Sequence, residues 1–395
     1  MAISIQKFVC QIILFVFSAL IGFVQPTSIK QDSPTQNLTQ KANELVRAKK
    51  FDEAIELFHQ VIAAKPNEVE PHVMLGMALI SAGRALEALE EMKRATQIDS
   101  NSASAFLGLG NANIALRRLN EAIEAFSQSA RINPDYLPAY LNLGIAYGET
   151  KRFEESVEAN KQALRISPNH PSALNGIGIG YYRLGQHQLG IDYVKQAAKL
   201  DPNSANILTN LGNWYFELGR HEEAAEAQAQ VIRLAPRFPN AYRLSAISNF
   251  ILGRSEAVIK DASKGLELAD WRGTNSQFLI IFLALSQRQL GLDDDAKTTL
   301  NFSIKRSDTK LWPYPVIRYL SNEINANALL ETSNDNDKLT ESHAYIALNL
   351  ILNKKPNEAR EHFQWIKENG NKKFIEYTIA LNELQKIENS NLKIK

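Results

Sequence analysis

Residues 137–170 read LPAYLNLGIAYGETKRFEESVEANKQALRISPNH. Tyr140, Leu143 and Tyr147 recur at three- and four-residue intervals, the spacing of one apolar helical face. Glu154 and Glu155 open a second periodic run, where acidic side chains favour the start of a helix, and Pro168 closes it. Stepping outward by 34 residues, the position of Gly144 reads Ala42, Gly76, Gly110, Gly144, Gly178, Gly212, Ala246. The position of Ser156 reads Ala54, Ala88, Ala122, Ser156, Gly190, Ala224, Val258, and that of Pro168 reads Pro66, Ser100, Pro134, Pro168, Pro202, Pro236, Asp270. Seven units stay in register over residues 35–270 with no insertion.

Each column has a physical task. Small residues in the first two let antiparallel helices approach closely. Gly83, Gly185, Gly219 and Gly253 fall between the two runs, where a left-handed residue ends a helix at low cost. Asn133, Asn169, Asp201 and Asn203 flank the proline column and suit caps or turns into the next unit. One helix pair buries too little to stand alone, so stacked neighbours share a continuous core.

The pattern resembles the tetratricopeptide repeat, W-x-x-L-G-x-x-Y followed by A-x-x-x-F and P. Leu211-Gly212 with Tyr215, Ala224 and Pro236 carries the likeness, as does Leu143-Gly144 with Tyr147 and Pro168. The tryptophan position holds Leu38, His72, Phe106, Tyr140, Leu174, Leu208 and Tyr242 instead. The resemblance implies an all-α, right-handed superhelical solenoid of antiparallel helix pairs. It also implies that the first helix of each pair lines a concave surface.

Register breaks at residue 270. A displaced unit fits over 271–306, with Leu283-Ala284, Gly291, Ala296 and Leu300 in the corresponding places. Residues 307–340 contain Trp312-Pro313-Tyr314-Pro315, which cannot continue a regular helix, then a short apolar helix at 316–320 and a polar segment around 333–338. Residues 341–395 read as a degenerate unit with Ala347, Ala359 and Phe363, followed by an amphipathic capping helix at 374–387. The stretches SDTKLWPYPVIRYLSNEI, EAREHF and FIEYTIALNEL resemble the tetratricopeptide-repeat envelope lipoproteins that tether proteases and cell-wall hydrolases in bacteria. That likeness implies an extracytoplasmic adaptor.

Residues 1–34 form a separate segment. Positions 8–24, FVCQIILFVFSALIGFV, carry no charge, and Lys7 is the only charged side chain before them. Both an uncleaved anchor and a cleaved signal peptide fit, and either sends the rest of the chain across a membrane. The resulting expectation is a membrane-anchored or secreted protein outside the cytoplasm, in the periplasm or cell envelope of a bacterium. Val9 stands before Cys10 where a lipidation box needs a small residue. As the single cysteine, Cys10 excludes an intramolecular disulfide and cysteine-based zinc sites.

Charge gives no general pull toward nucleic acid: 44 basic and 43 acidic residues leave a net +1. Groupings suited to catalysis, metals or cofactors do not emerge. His221-Glu222-Glu223 lacks the second histidine of a zinc helix, and Gly176-Ile177-Gly178-Ile179-Gly180 has no preceding strand and has Tyr181 where a dinucleotide loop needs glycine. No phosphate-binding loop or nucleophile elbow occurs. The expectation is therefore a non-enzyme without cofactor, metal, nucleic acid or small-molecule substrate.

Binding is where the repeat offers chemistry. The resemblance places positions 2, 5, 6, 9, 12 and 13 of each unit on the concave side. Candidate partner-binding residues are Asn111, Asn142, Ile145, Asn175, Ile179, Tyr182, Arg183, Asn210, Asn213, Phe216, Arg243 and Phe250, with Met74, Met77, Leu107, Leu141 and Ile247 beside them. Asparagine amides can bond an extended peptide backbone, and apolar neighbours add burial. The same asparagines suit bonds between helices equally. The lysine and asparagine set with which chaperone-binding relatives clamp a C-terminal carboxylate is not reproduced. The expected function is a scaffold holding a peptide or helix of a partner protein. Alternatives are an envelope assembly or transport component working through its convex side, and a non-catalytic subunit of an enzyme complex.

Overall fold

The computed structural model describes residues 34–269 and 273–392, and every described element is helical. The apolar run at 8–24 lies outside the described residues. Among those described, no helix is long and apolar enough to cross a membrane. The chain divides into two compact units, Met1–Pro202 and Asn203–Lys395, so a boundary falls inside the in-register array.

The first unit stacks five helix pairs: α1 (Pro34–Arg47) with α2 (Phe51–Ala64), α3 (Val69–Ser81) with α4 (Ala85–Ile98), α5 (Ala103–Ala115) with α6 (Leu119–Ile132), α7 (Leu137–Glu149) with α8 (Phe153–Ile166), and α9 (Pro171–Arg183) with α10 (His187–Leu200). Second helices end two residues before the proline column, as at Ile132 before Pro134 and Ile166 before Pro168. Asn133 then turns the chain, its Oδ1 accepting from the Asp135 amide at 3.1 Å, and Asp99 accepts from Asn101 at 2.8 Å in the same way.

Between the helices of a pair the chain makes a left-handed turn. The Arg84 amide donates to the Leu79 carbonyl at 2.8 Å and the Gly83 amide to that of Ile80 at 3.0 Å, the paired bonds that close a helix C-terminus. Gly83 has φ 79°, Gly185 82°, Gly219 70° and Gly253 71°. Lys49, Arg117 and Lys151 occupy the same turn in their units at φ 60–61°, which the sequence does not announce. A side chain there costs about 1–2 kcal/mol. Arg117→Gly is therefore expected to gain about 0.5–1 kcal/mol after glycine's own entropic cost. Chemical denaturation should show a raised midpoint at unchanged slope, and an unchanged midpoint would refute this.

The small-residue columns place backbones in contact. Position 8 of each unit packs against position 24 across the pair. A Cβ at Gly76 would meet Met92, at Gly110 it would meet Phe126, and at Gly144 it would meet Asn160. Asn160 is buried within this packing column and donates to the Ser156 carbonyl at 2.8 Å.

The second unit begins with two regular pairs, α11 (Ala205–Glu217) with α12 (His221–Leu234) and α13 (Pro239–Ile251) with α14 (Ser255–Leu268). The displaced pair is α15 (Thr274–Gln289) with α16 (Asp293–Ile304), turning at Gly291 with φ 75°. Two short helices follow, α17 (Tyr314–Leu320) and α18 (Ala326–Glu331); the second had no counterpart in the sequence reading. The last pair, α19 (Asn336–Leu352) with α20 (Pro356–Asn369), starts earlier than the expected residue 341. Asp335 caps α19 by accepting from the Lys338 amide at 2.8 Å. The terminal helix α21 (Ile375–Leu392) buries Ile379, Ala380, Leu384 and Ile387 in the same core as Phe282, Tyr345 and Phe363.

Candidate partner-binding surface

In the first unit, Asn111 on α5 and Asn142 on α7 meet across neighbouring repeats, with Asn142 Nδ2 donating to Asn111 Oδ1 at 3.0 Å. Asn142 is buried and Asn111 half-buried, so this amide ties two first helices together. Ile145 on α7 and Ile179 on α9 stand at the same repeat position on successive first helices and keep part of their surface exposed, as does Asn175. Arg183 is exposed at the end of α9. Tyr182 does not line an open groove: it is 6% exposed and its ring tilts onto His187 with centroids 4.5 Å apart. Met77 and Leu107 are likewise buried, packed inside the stack they were expected to line.

In the second unit Asn210, Asn213 and Phe216 are half-buried on α11. Asn213 Oδ1 accepts from Gln228 Nε2 at 3.3 Å, and Phe216 meets His221 edge-on at 5.6 Å. The His221 imidazole is pushed down by burial. Arg243 on α13 donates through Nη2 to Asn240 Oδ1 at 2.9 Å, and burial lowers its proton affinity. Phe250 is withdrawn from any surface. It is 8% exposed and packs 4.9 Å from Phe282 of α15, because the displaced pair covers the end of α13. Ile247 is buried by the same cover.

Two cavities lie elsewhere. One of about 620 Å³ opens in the first unit between α1 and α3, lined by Thr39, Asn43, Arg47, Val73 and Met74 among others. These are concave positions 5, 9 and 13 of unit one and 5 and 6 of unit two, so stepping the repeat rule back to its first units would have found them. Glu70 on its rim is pushed up by burial. The other, about 800 Å³, opens in the second unit between the second helices α12 and α14, over α13. There Ser245 donates to Asp261 Oδ2 at 2.6 Å, and burial raises the Asp261 carboxyl above its ordinary range. Neither cavity is lined by any of the twelve candidates. Among the described residues no group of three or more His, Cys, Asp or Glu could hold a metal ion.

Residues 28–245 match the family described as the Cilia and flagella-associated protein 70 C-terminal domain. No curated protein matches the chain. Solved structures similar to it include the MamA protein, 28% identical over 44% of this chain and 94% of that one, with a TM-score of 0.38. TTC0263, described as a thermophilic tetratricopeptide-repeat protein of Thermus thermophilus, is 20% identical over 46% and 99%, with a TM-score of 0.41. Pseudomonas aeruginosa PilF is 19% identical over 51% and 92%, with a TM-score of 0.45.

Proposed function

Because the chain belongs to the tetratricopeptide-repeat family described by the C-terminal domain of cilia and flagella-associated protein 70, we propose that it is an adaptor holding a peptide or helix of a partner protein on its first-helix face. Proteins of this repeat type mediate protein–protein interactions, and the scaffold is typically non-catalytic. The observation that carries the reading is the nearly uncharged row Asn111, Ile145, Asn175, Ile179 on successive first helices, ending at Arg183. The isoleucines offer burial without demanding charge, and the asparagines beside them keep the row polar without adding charge. The fitting partner is an uncharged, apolar-rich segment. In the second unit Phe216 offers apolar surface beside Asn210, Asn213 and Arg243.

The test is the full chain carrying Ile145→Asp and Ile179→Asp, with copurifying proteins identified and quantified by mass spectrometry. Carboxylates placed against an apolar ligand are expected to weaken retained partners at least tenfold, roughly the loss of one interface hot spot. Unchanged partners would remove the groove reading. The 800 Å³ cavity between α12 and α14 favours a second reading, docking on the outer face. Ala229→Trp, which fills that cavity, separates the two by whichever substitution loses the partners.

The apolar run at 8–24 supports export of this adaptor, anchored in or released from a membrane. Protease added to intact cells should then digest the repeats, whereas full protection of the chain until lysis contradicts export.

A further inference from the structure

The C-terminal cap buries charge-bearing groups that the repeat does not require. Glu341 on α19 is 7% exposed and Glu376 on α21 is 3% exposed. Trp312 Nε1, from the proline-broken segment, donates to Glu341 Oε2 at 2.5 Å, and the Tyr345 hydroxyl on α19 donates to Glu376 Oε1 at 2.7 Å. The two carboxyls therefore join three separate parts of the chain: the Trp312 segment, α19 and the terminal helix. Around them stand Asp335, Asp337 and Tyr345. The nearby cation Lys338 is engaged with Asp335 at 3.0 Å, with its ammonium 5.9 Å from the Trp312 ring centroid. Neither glutamate has a cationic partner among the described residues. A buried carboxylate without one is strongly disfavoured, so burial holds both carboxyls above their ordinary range and favours a proton on the pair.

A second pair sits on the neighbouring face. His343 on α19 and His362 on α20 bring their Nδ1 atoms to 2.8 Å, and His343 stacks on Trp365 with centroids 4.0 Å apart and planes 8° apart. With Ala347 aligned to the Gly144 column, these rings occupy positions 4 and 23 of the last unit. In the second repeat, which lies in the first unit, the same positions hold His72 and Glu91, bonded at 2.9 Å, so the juxtaposition follows from how the repeat packs. One imidazole N–H donates to the other ring only while the pair is not doubly charged. Glu361 beside His362 is the acidic group facing this pair.

We propose that α19, α20 and α21 form a proton-gated latch, closed while the Glu341–Glu376 pair retains its protons and the His343–His362 pair is uncharged, and opening when either condition fails. Opening would bare Ile379, Leu384 and Ile387, the inner face of α21.

The signs follow from linkage. Burial, with Glu376 adding to it, pushes Glu341 from an ordinary 4.5 up to about 8, and Glu376 is raised by burial too. The folded cap thus holds a proton that the open cap releases, so closure is full below about 4.5 and weakens as pH climbs through about 8. Burial and His362 together lower His343 from 6.5 to about 4, and burial lowers His362. Its contribution is full above 6.5 and is lost as pH falls toward 4. Between 4.5 and 6.5 the two slopes oppose, and the latch holds best.

Amide hydrogen exchange on the full chain, corrected for intrinsic rate, tests this, with α5 and α6 as internal reference. The opening constant of α21 is expected to rise about tenfold per pH unit from 6.5 toward 8 for each proton released. Glu341→Gln with Glu376→Gln keeps the shape of the protonated acids and should flatten that limb, while His362→Gln should flatten the acid limb alone. Should the double variant lose its helical signal, Glu376→Gln alone is read the same way. Protection of α21 that is level from pH 6 to 9, or a slope in the glutamine variants equal to that of the parent, overturns the latch.

Discussion

Gly178→Leu is expected to abolish cooperative folding of the first unit, and even Gly178→Ala to cost about 3 kcal/mol, the upper part of the range for overpacking a tight core. A Cβ at Gly178 would lie 2.4 Å from Val194 Cγ2, 2.7 Å from the Gly190 carbonyl oxygen and 3.2 Å from the Val194 amide nitrogen. Its counterpart is equally confined, since a Cβ at Gly190 would lie 2.7 Å from the Gly178 oxygen and 2.8 Å from the Tyr182 nitrogen. Two of these obstacles at each site are backbone, and backbone retreats only if α9 and α10 separate. Gly144 is the control. The nearest atoms to its added Cβ belong to the Asn160 side chain and not to backbone, and alanine regains up to about 1 kcal/mol of helix propensity. Gly178→Ala should therefore fall far below Gly144→Ala in denaturation midpoint. Equal midpoints would mean that the helices are not fixed by backbone contact. Because each pair contacts only its neighbours, the damage should spread from α9 and α10 to the pairs stacked on them.

What was legible in the sequence follows from which interactions are periodic. The Gly144 column is visible because every unit must solve the same close approach, and the proline column because every second helix must stop. The left-handed turn is visible at Gly83 but hidden at Arg117, where the stack imposes the same φ on a side chain that local preference resists. Exposure is the property least encoded in the repeat pattern. Phe250 and Ile247 occupy concave positions, yet α15 covers them, and whether a position is open depends on what stacks next. Asn142 shows the same limit from the polar side, since an amide that suits a peptide also suits Asn111. Gln228 is fully buried at position 24 with its Oε1 unpartnered, a polar occupant of an apolar column. That column, read down as Phe58, Met92, Phe126, Asn160, Val194, Gln228, would have flagged it. Nothing in their local sequence distinguishes Glu341 and Glu376 from the solvated carboxylates of an amphipathic helix. Only the packing of α21 onto α19 makes them buried neighbours.

Position 24 also defines the second large effect. Phe126→Ala is expected to destabilise the first unit by about 3–5 kcal/mol, the usual range for emptying a buried aromatic site. Phe126 is 1% exposed, and its ring covers Gly110 so closely that a Cβ there would lie 2.3 Å from Cε1 and 2.4 Å from Cδ1. The glycine and the ring are thus two halves of one volume. Gly110→Leu alone should be severely destabilising, because the ring has no room to yield between α5 and α6. Placed together with Phe126→Ala, the leucine would fill from one helix the space vacated on the other. The double variant should be more stable than the sum of the two single losses predicts, by about 2 kcal/mol, within the range for residues in direct contact. Urea denaturation of the four proteins gives that coupling directly. Strict additivity would mean the two positions are packed independently, and the pairing of position 8 with position 24 would then lose its role in setting helix separation. Since Asn111 is carried on α5, whose distance from α6 this contact sets, the same four proteins also test how that end of the partner-binding row is held. A partner should bind the rescued double variant more tightly than Phe126→Ala, although neither substitution lies on the groove face.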